Sequence, residues 1–243
     1  MKVLLIIPCF NEERRLPIGE IKNFLEKDIR DIHLEFVNDG SSDGTLPLLK
    51  KFASGAERVS ILDLPKNVGK AEAIRSAMLN QQNSDFDYVG YFDADLAAPL
   101  EEVYTFIDKI EQSRPLLVMG SRVKLLGLTT IKRKWYRHYF GRVFATAASK
   151  TLQIAVYDTQ CGAKLIKKTC IPVIFNQPFI SKWLFDIEII FRLKQSEMYR
   201  QYLRPIFEIP LSKWEEKGES KVSSSYILKV PFELFRIFMK YRN

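Results

Sequence analysis

Asp93 and Asp95 stand one residue apart at the end of the apolar run Tyr88-Val89-Gly90-Tyr91-Phe92. In an extended strand, residues i and i+2 point to the same side. The two carboxylates are therefore expected to reach one hard, oxygen-seeking cation, Mg²⁺ or Mn²⁺, with phosphate oxygens completing its coordination. For the pair alone, capping of the helix expected after Pro99 is the favoured reading. The rest of the chain decides between them.

Three more loops carry polar residues in informative patterns. Pro8-Cys9-Phe10-Asn11-Glu12-Glu13 follows an apolar run, as do Asp39-Gly40-Ser41-Ser42-Asp43-Gly44-Thr45 and Asn67-Val68-Gly69-Lys70. Asp39 offers an acceptor for a base edge or ribose hydroxyls. Gly40 and Gly44 suit tight turns, and Thr45 is expected to cap the helix that follows. Lys70 opens a helix whose free N–H groups can face an anion. A Walker loop is excluded, because Leu64 stands where its first glycine is required and Ala71 where Ser or Thr is required. No G-x-G-x-x-G follows the first run, which disfavours nicotinamide and flavin dehydrogenases. With only His33 and His138, a histidine triad or a His-rich zinc site lacks material. Cys9, Cys161 and Cys170 lack metal-ligand spacing and suit a reducing compartment, with Cys161 a packing residue. Carboxylates, basic groups and a metal are left to do the chemistry.

The elements that position these loops are legible. Apolar, β-rich runs at 3–7, 34–38, 59–62, 88–92 and 116–121 alternate with helical patterns near 17–28, 45–54, 70–82 and 99–113. That alternation predicts an α/β fold with a mostly parallel central sheet flanked by helices. Ligands of such sheets gather at the carboxyl ends of the strands, where all four loops fall. With 243 residues, 47% of them hydrophobic, one large domain is expected over 1–221, followed by a basic amphipathic segment over 222–243. The net charge of +8 favours anionic partners.

Beyond residue 122 the chain becomes basic and aromatic, with Lys132, Arg133, Lys134, Arg137 and Arg142 among Trp135, Tyr136, Tyr139 and Phe140. A lipid phosphate suits this segment, as does a solvated helix face; no nucleic-acid motif accompanies it, and nucleic acid is not expected as a partner. A helix is expected over 186–194, with Asp186 as its N-cap and Glu188 pointing into a cleft or pairing with a basic residue. At the C-terminus, Lys229, Glu233, Arg236 and Lys240 recur at intervals of four, three and four among apolar residues. Such a helix fits the membrane interface, and equally the protein's own core or a partner chain. No run approaches the ~18 apolar residues of a membrane span, and the N-terminus lacks the features of a signal peptide. A cytoplasmic protein is expected, with peripheral contact at the inner face of the membrane.

Taken together, Ile7-Pro8-Cys9-Phe10-Asn11-Glu12-Glu13, Val37-Asn38-Asp39-Gly40-Ser41-Ser42-Asp43-Gly44-Thr45, Asn67-x-Gly69-Lys70 and Asp93-Ala94-Asp95 resemble a family 2 glycosyltransferase of the GT-A fold. Gly120-Ser121-Arg122, Asp158-Thr159-Gln160-Cys161-Gly162, Phe185-Asp186-Ile187-Glu188 and Trp214-x6-Lys221 resemble the branch of dolichyl-phosphate β-glucosyltransferases and bacterial polyprenyl-phosphate glycosyltransferases. The resemblance implies a nucleotide pocket lined by Pro8, Asn11, Glu12 and Asp39, Lys70 near the nucleotide, and a metal held by Asp93 and Asp95. It implies Arg122 near phosphate groups, an acceptor side including Asp158, Gln160 and Gly162, and catalytic roles among Asp95, Arg122, Asp186 and Glu188. Ala97 stands where related mannosyl enzymes often carry a glutamine that contacts the metal. The expected reaction is inverting transfer of a sugar, glucose from UDP-glucose, to a polyprenyl phosphate. Transfer to a saccharide hydroxyl is the rival, and a nucleotide-sugar-binding module without turnover is the rival from another class.

Overall fold

The computed structural model describes residues 1–127, 129–132, 135–217 and 229–242, with the side chains of 132 and 135–140 outside the description. In chain order the elements are β1 (Val3–Cys9), α1 (Ile18–Lys27), β2 (Ile32–Asp39), α2 (Thr45–Ala53), β3 (Val59–Leu64), α3 (Lys70–Asn80), β4 (Tyr88–Tyr91), α4 (Glu102–Ser113) and β5 (Leu117–Ser121). They continue with β6 (Thr130–Lys132), α5 (Trp135–Leu152), β7 (Lys164–Lys167), α6 (Ile171–Phe175), α7 (Phe185–Gln195), α8 (Glu197–Arg200), β8 (Ile206–Pro210), β9 (Lys213–Glu215) and α9 (Val230–Tyr241).

Seven strands form the main sheet in the order β3-β2-β1-β4-β7-β5-β8, and β6 pairs with β9 in a small second sheet. Only β7 runs against its neighbours in the main sheet, antiparallel to both β4 and β5. The expected parallel architecture is therefore observed, with one reversed strand that the sequence pattern did not announce. β1 is apolar throughout because both its faces are covered. Val3, Leu5 and Ile7 enter one core cluster while Leu4 and Ile6 enter the other, as the two-residue period of a strand demands.

Three local expectations are corrected. β4 ends at Tyr91, so Asp93 and Asp95 lie beyond the strand, in a turn where the Leu96 amide donates to the Asp93 carbonyl at 3.0 Å. The first residue of α2 is Thr45 and its N-cap is Gly44, because the Thr45 hydroxyl is used elsewhere, donating to Asp43 and accepting from the Glu12 amide. The N-cap of α7 is Leu184, and Asp186 lies buried inside the first turn. The division expected at 221/222 and Lys221 lie outside the described residues. The described part of the C-terminal segment, α9, packs against α5 and α7 and contributes Leu234, Ile237 and Tyr241 to the core.

Candidate active site

The parallel strands β1, β2 and β3 deliver their loops to one rim, and side-chain to backbone hydrogen bonds lock those loops together. Asn11, at φ +53°, accepts from the Ser42 amide at 2.9 Å, and its own amide donates to Ser41 Oγ at 3.1 Å. Glu13 accepts from the Gly44 amide at 3.1 Å. Asp39 is almost wholly buried, and its two carboxylate oxygens accept from the amides of Val68 at 2.7 Å and Gly69 at 2.9 Å. It clasps the loop after β3 to the end of β2 and so sets the start of α3. Pro8 sits in β1, paired with Val37. The Glu12 carboxylate, nearly buried, meets Arg15 at 3.0 Å.

The first residue of α3, Lys70, sends its ammonium to Asp93 Oδ1 at 2.5 Å. Burial opposes its charge, and the carboxylates of Asp93, Asp186 and Asp95 together raise its pKa above the ordinary value. Asp95 is pushed the other way: burial first, then the neighbouring Asp93 charge, raise its carboxyl pKa, although the Ala97 amide donates to it at 2.9 Å. Two acids crowded until one resists ionising form a site that favours added positive charge. Among the described residues no group of three or more His, Cys, Asp or Glu could hold a metal, and the Ala97 side chain supplies no ligand atom. A donor set of two carboxylates fits a magnesium-like ion that takes its other ligands from substrate phosphates and water.

The 158–162 loop meets Asp93 directly. A Cβ built on Gly162 would lie 2.0 Å from Asp93 Oδ2 and 2.3 Å from its Cγ, so only glycine lets the 158–162 loop sit against the carboxylate. Asp158 is fixed two-pronged by Arg122, Nε to Oδ2 at 2.6 Å and Nη2 to Oδ1 at 2.8 Å. Burial opposes both charges. The pairing overcomes it, raising the Arg122 pKa and lowering that of Asp158. Trp214 covers the guanidinium at 5.5 Å, and Glu208 accepts from the Tyr157 and Asp158 amides. The Gln160 side-chain nitrogen is buried without a hydrogen-bond partner. Burial pushes the Cys161 thiol up to about 12, as suits a packing residue.

Asp186 is not the N-cap expected, and of the two expectations for Glu188, a cleft or a basic partner, the structure shows the partner, Arg192. Asp186 lies on the site side, bound to Tyr91 Oη and 2.6 Å from Lys164 Nζ. Glu188 does not enter a cleft. It is fully buried, accepting from the amides of Ile180 at 3.1 Å and Ser181 at 2.9 Å, with Arg192 at 3.5 Å and the Tyr241 hydroxyl at 3.2 Å. Burial raises its pKa. The structure thus gathers Lys70, Asp93, Asp95, Arg122, Asp158, Gly162 and Asp186 into one region, and gives Glu188 to the support of α7.

Sequence reasoning missed three side chains here. Lys164 is wholly buried, bonded to the Cys161 carbonyl at 2.6 Å and lying over the Tyr91 ring at 5.3 Å. A lysine inside Ala163-Lys164-Leu165-Ile166 is the signal that could have revealed it. Tyr91 reads as an ordinary strand aromatic. Lys182, whose Cδ would lie 4.0 Å from a Cβ built on Gly69, has no local pattern that marks it.

Comparison with known proteins identifies the family and the fold. The chain belongs to glycosyl transferase family 2, whose family model matches residues 4–175. It is an enzyme of that family with the GT-A fold. A dolichyl-phosphate beta-glucosyltransferase of Saccharomyces cerevisiae is 30% identical, with 97% of this chain and 74% of that protein covered. One from Trichomonas vaginalis is 27% identical over 98% of this chain and 71% of its own length. Among solved structures, glucosyl-3-phosphoglycerate synthase of Mycobacterium tuberculosis, in complex with UDP, superposes with a TM-score of 0.66 at 17% identity, covering 98% of this chain and 80% of that one. The same enzyme is known in complex with Mn²⁺, UDP-glucose and phosphoglyceric acid.

Proposed function

We propose that this chain transfers glucose from UDP-glucose to a polyprenyl phosphate, with inversion at the anomeric carbon and with the help of a divalent cation. The acceptor phosphate oxygen attacks C1 of glucose, the bond from C1 to the diphosphate oxygen breaks, and UDP departs with the electron pair. Asp93 and Asp95 would hold the cation, which when bound neutralises charge on the departing diphosphate. Lys70, at the start of α3, adds a fixed positive charge beside them. Asn11, Glu12 and Asp39 line the nucleotide side, and Arg122, oriented by Asp158, presents its charge on the acceptor side.

One observation carries the choice of acceptor. The three carboxylates nearest in sequence to the acceptor motifs are all engaged: Asp158 by Arg122, Asp186 by Lys164 and Tyr91, Glu188 by two amides and Tyr241. A saccharide hydroxyl needs a base to take its proton, whereas a phosphate oxygen is already ionised near neutral pH. The names of the relatives point to the same acceptor and sugar, and the UDP-bound neighbour to the same nucleotide.

The test is direct. Purified protein is given UDP-glucose, Mg²⁺ or Mn²⁺, and either a water-soluble short-chain polyprenyl phosphate or a panel of saccharides, with product identified by mass spectrometry and anomeric coupling. A β-glucosyl phosphate lipid and free UDP, both lost with a chelator, are expected. Glucose on a saccharide, or an α-linked product, overturns the reading.

A further inference from the structure

The inner and outer faces of α9 have different chemistry. Leu234, Ile237 and Tyr241 face inward and are buried. The helix is pinned there by polar contacts as well: Glu233 accepts from the Ser181 hydroxyl, and the Tyr241 hydroxyl accepts from Arg192 Nε at 2.9 Å. The outer face carries Phe232, Phe235 and Met239, which are 64%, 57% and 41% exposed. At spacings of three and four they form one line along the helix. Two phenylalanines left more than half in water on a firmly held helix are a departure from a solvated surface.

The charges around that line share one sign. Lys229, Arg236, Lys240 and Arg242 are exposed, and the helix's single acid, Glu233, is turned to Ser181. Arg242 lies 3.3 Å from the Met239 sulfur, so a cation adjoins the apolar line itself. We propose that the outer face of α9 is a bilayer-docking surface for anionic lipid, with Phe232, Phe235 and Met239 entering the acyl boundary and the four cations contacting headgroup phosphates. An apolar stripe bordered by cations fits a layer that is apolar beneath and negative at its surface. It fits a second copy of this face poorly, because a self-paired face would oppose cation to cation. The docking also deepens the proposed function: through Ser181 and Arg192 the helix is tied to α7, which carries Asp186, so the bilayer that would supply a lipid acceptor is held against the framework of the site.

Vesicle co-sedimentation of the full chain tests this without the reaction. Binding to phosphatidylcholine vesicles containing phosphatidylglycerol is expected, with far weaker binding to phosphatidylcholine alone and release by added salt. Arg236→Glu with Lys240→Glu should weaken binding by at least about fivefold for each cation lost. Phe232→Ser with Phe235→Ser should weaken it at least about tenfold while leaving the melting temperature and turnover of the short-chain soluble acceptor unchanged. Equal binding to both vesicle types, or variants that bind like the parent, overturns the proposal. So does a dimer that the Phe232→Ser, Phe235→Ser variant converts to monomer, or protection of these side chains by residues 218–228 when vesicles are present. Soluble-acceptor turnover without vesicle binding refutes the docking surface and leaves the proposed function standing; vesicle binding without turnover does the reverse.

Discussion

Replacing Gly162 by alanine perturbs the candidate site through one methyl group. The added Cβ would lie 2.0, 2.3 and 2.6 Å from Oδ2, Cγ and Oδ1 of Asp93, where ordinary contact begins at 3.4 Å. The carboxylate must retreat by about 1.4 Å, more than the ~1 Å misplacement that typically costs about a hundredfold in rate. Gly162 lies outside the left-handed region, so alanine suits its backbone. The Asp93 side chain is 39% exposed and can swing towards water, breaking its bond to Lys70 rather than disturbing the core. Turnover of UDP-glucose with a short-chain polyprenyl phosphate should therefore fall at least about a hundredfold, with the melting temperature within roughly 4 °C of the parent. Manganese affinity, measured by calorimetry in the presence of UDP, should fall with it. Gly120→Ala is the control, because its Cβ would meet Leu211 Cδ2 at 2.7 Å and Cys161 Sγ at 3.0 Å inside the core. It should lose about 1–3 kcal/mol of stability instead. A Gly162→Ala enzyme that turns over within threefold of the parent, with unchanged manganese affinity, refutes the placement of Asp93 in the catalytic centre.

Three other outcomes are expected. Asp95→Asn should abolish metal-dependent UDP release while the circular dichroism spectrum is retained; parental kinetics in that variant remove the metal role. Lys164→Met leaves Asp186 buried without its counter-charge and should cost about 3–5 kcal/mol in denaturant unfolding; a midpoint shift of less than about 1 kcal/mol contradicts the ion pair's structural role. Burial raises the Glu35 carboxyl from 4.5 to about 7, and its Oε2 is buried without a hydrogen-bond partner. The stability contributed by its protonated form is complete below about 4.5 and is lost as the pH rises through about 7. Glu35→Gln should therefore stabilise the protein by about 3 kcal/mol at pH 8 and by much less at pH 5. Parallel pH profiles for parent and variant contradict this.

The parallel half of the sheet was legible because each of its strands is an apolar run followed by a loop with its own chemistry. The reversed strand β7 was not, since Lys164-Leu165-Ile166-Lys167 is short and flanked by lysines, and nothing local records that it inserts between β4 and β5. Spacing singled out Asp93 and Asp95, although they lie in a turn rather than in an extended strand. Glu188 meets Arg192 four residues on within α7, a local pairing the sequence allows, but that Asp186 faces the site depends on Lys164, a distant partner on β7. Tertiary pairing of this kind leaves no periodic trace.

β7 also governs when the protein can become competent. Its residues 164–167 pair with 88–91 on one side and 117–119 on the other, and the Gly162 that confines Asp93 is two positions ahead of it. A nascent chain that has emerged only as far as α4 exposes the edge of β4 and lacks the 158–162 wall of the candidate site. Assembly must wait for these distant contacts, which makes folding slow and places the open edge of β4 in need of shielding during synthesis.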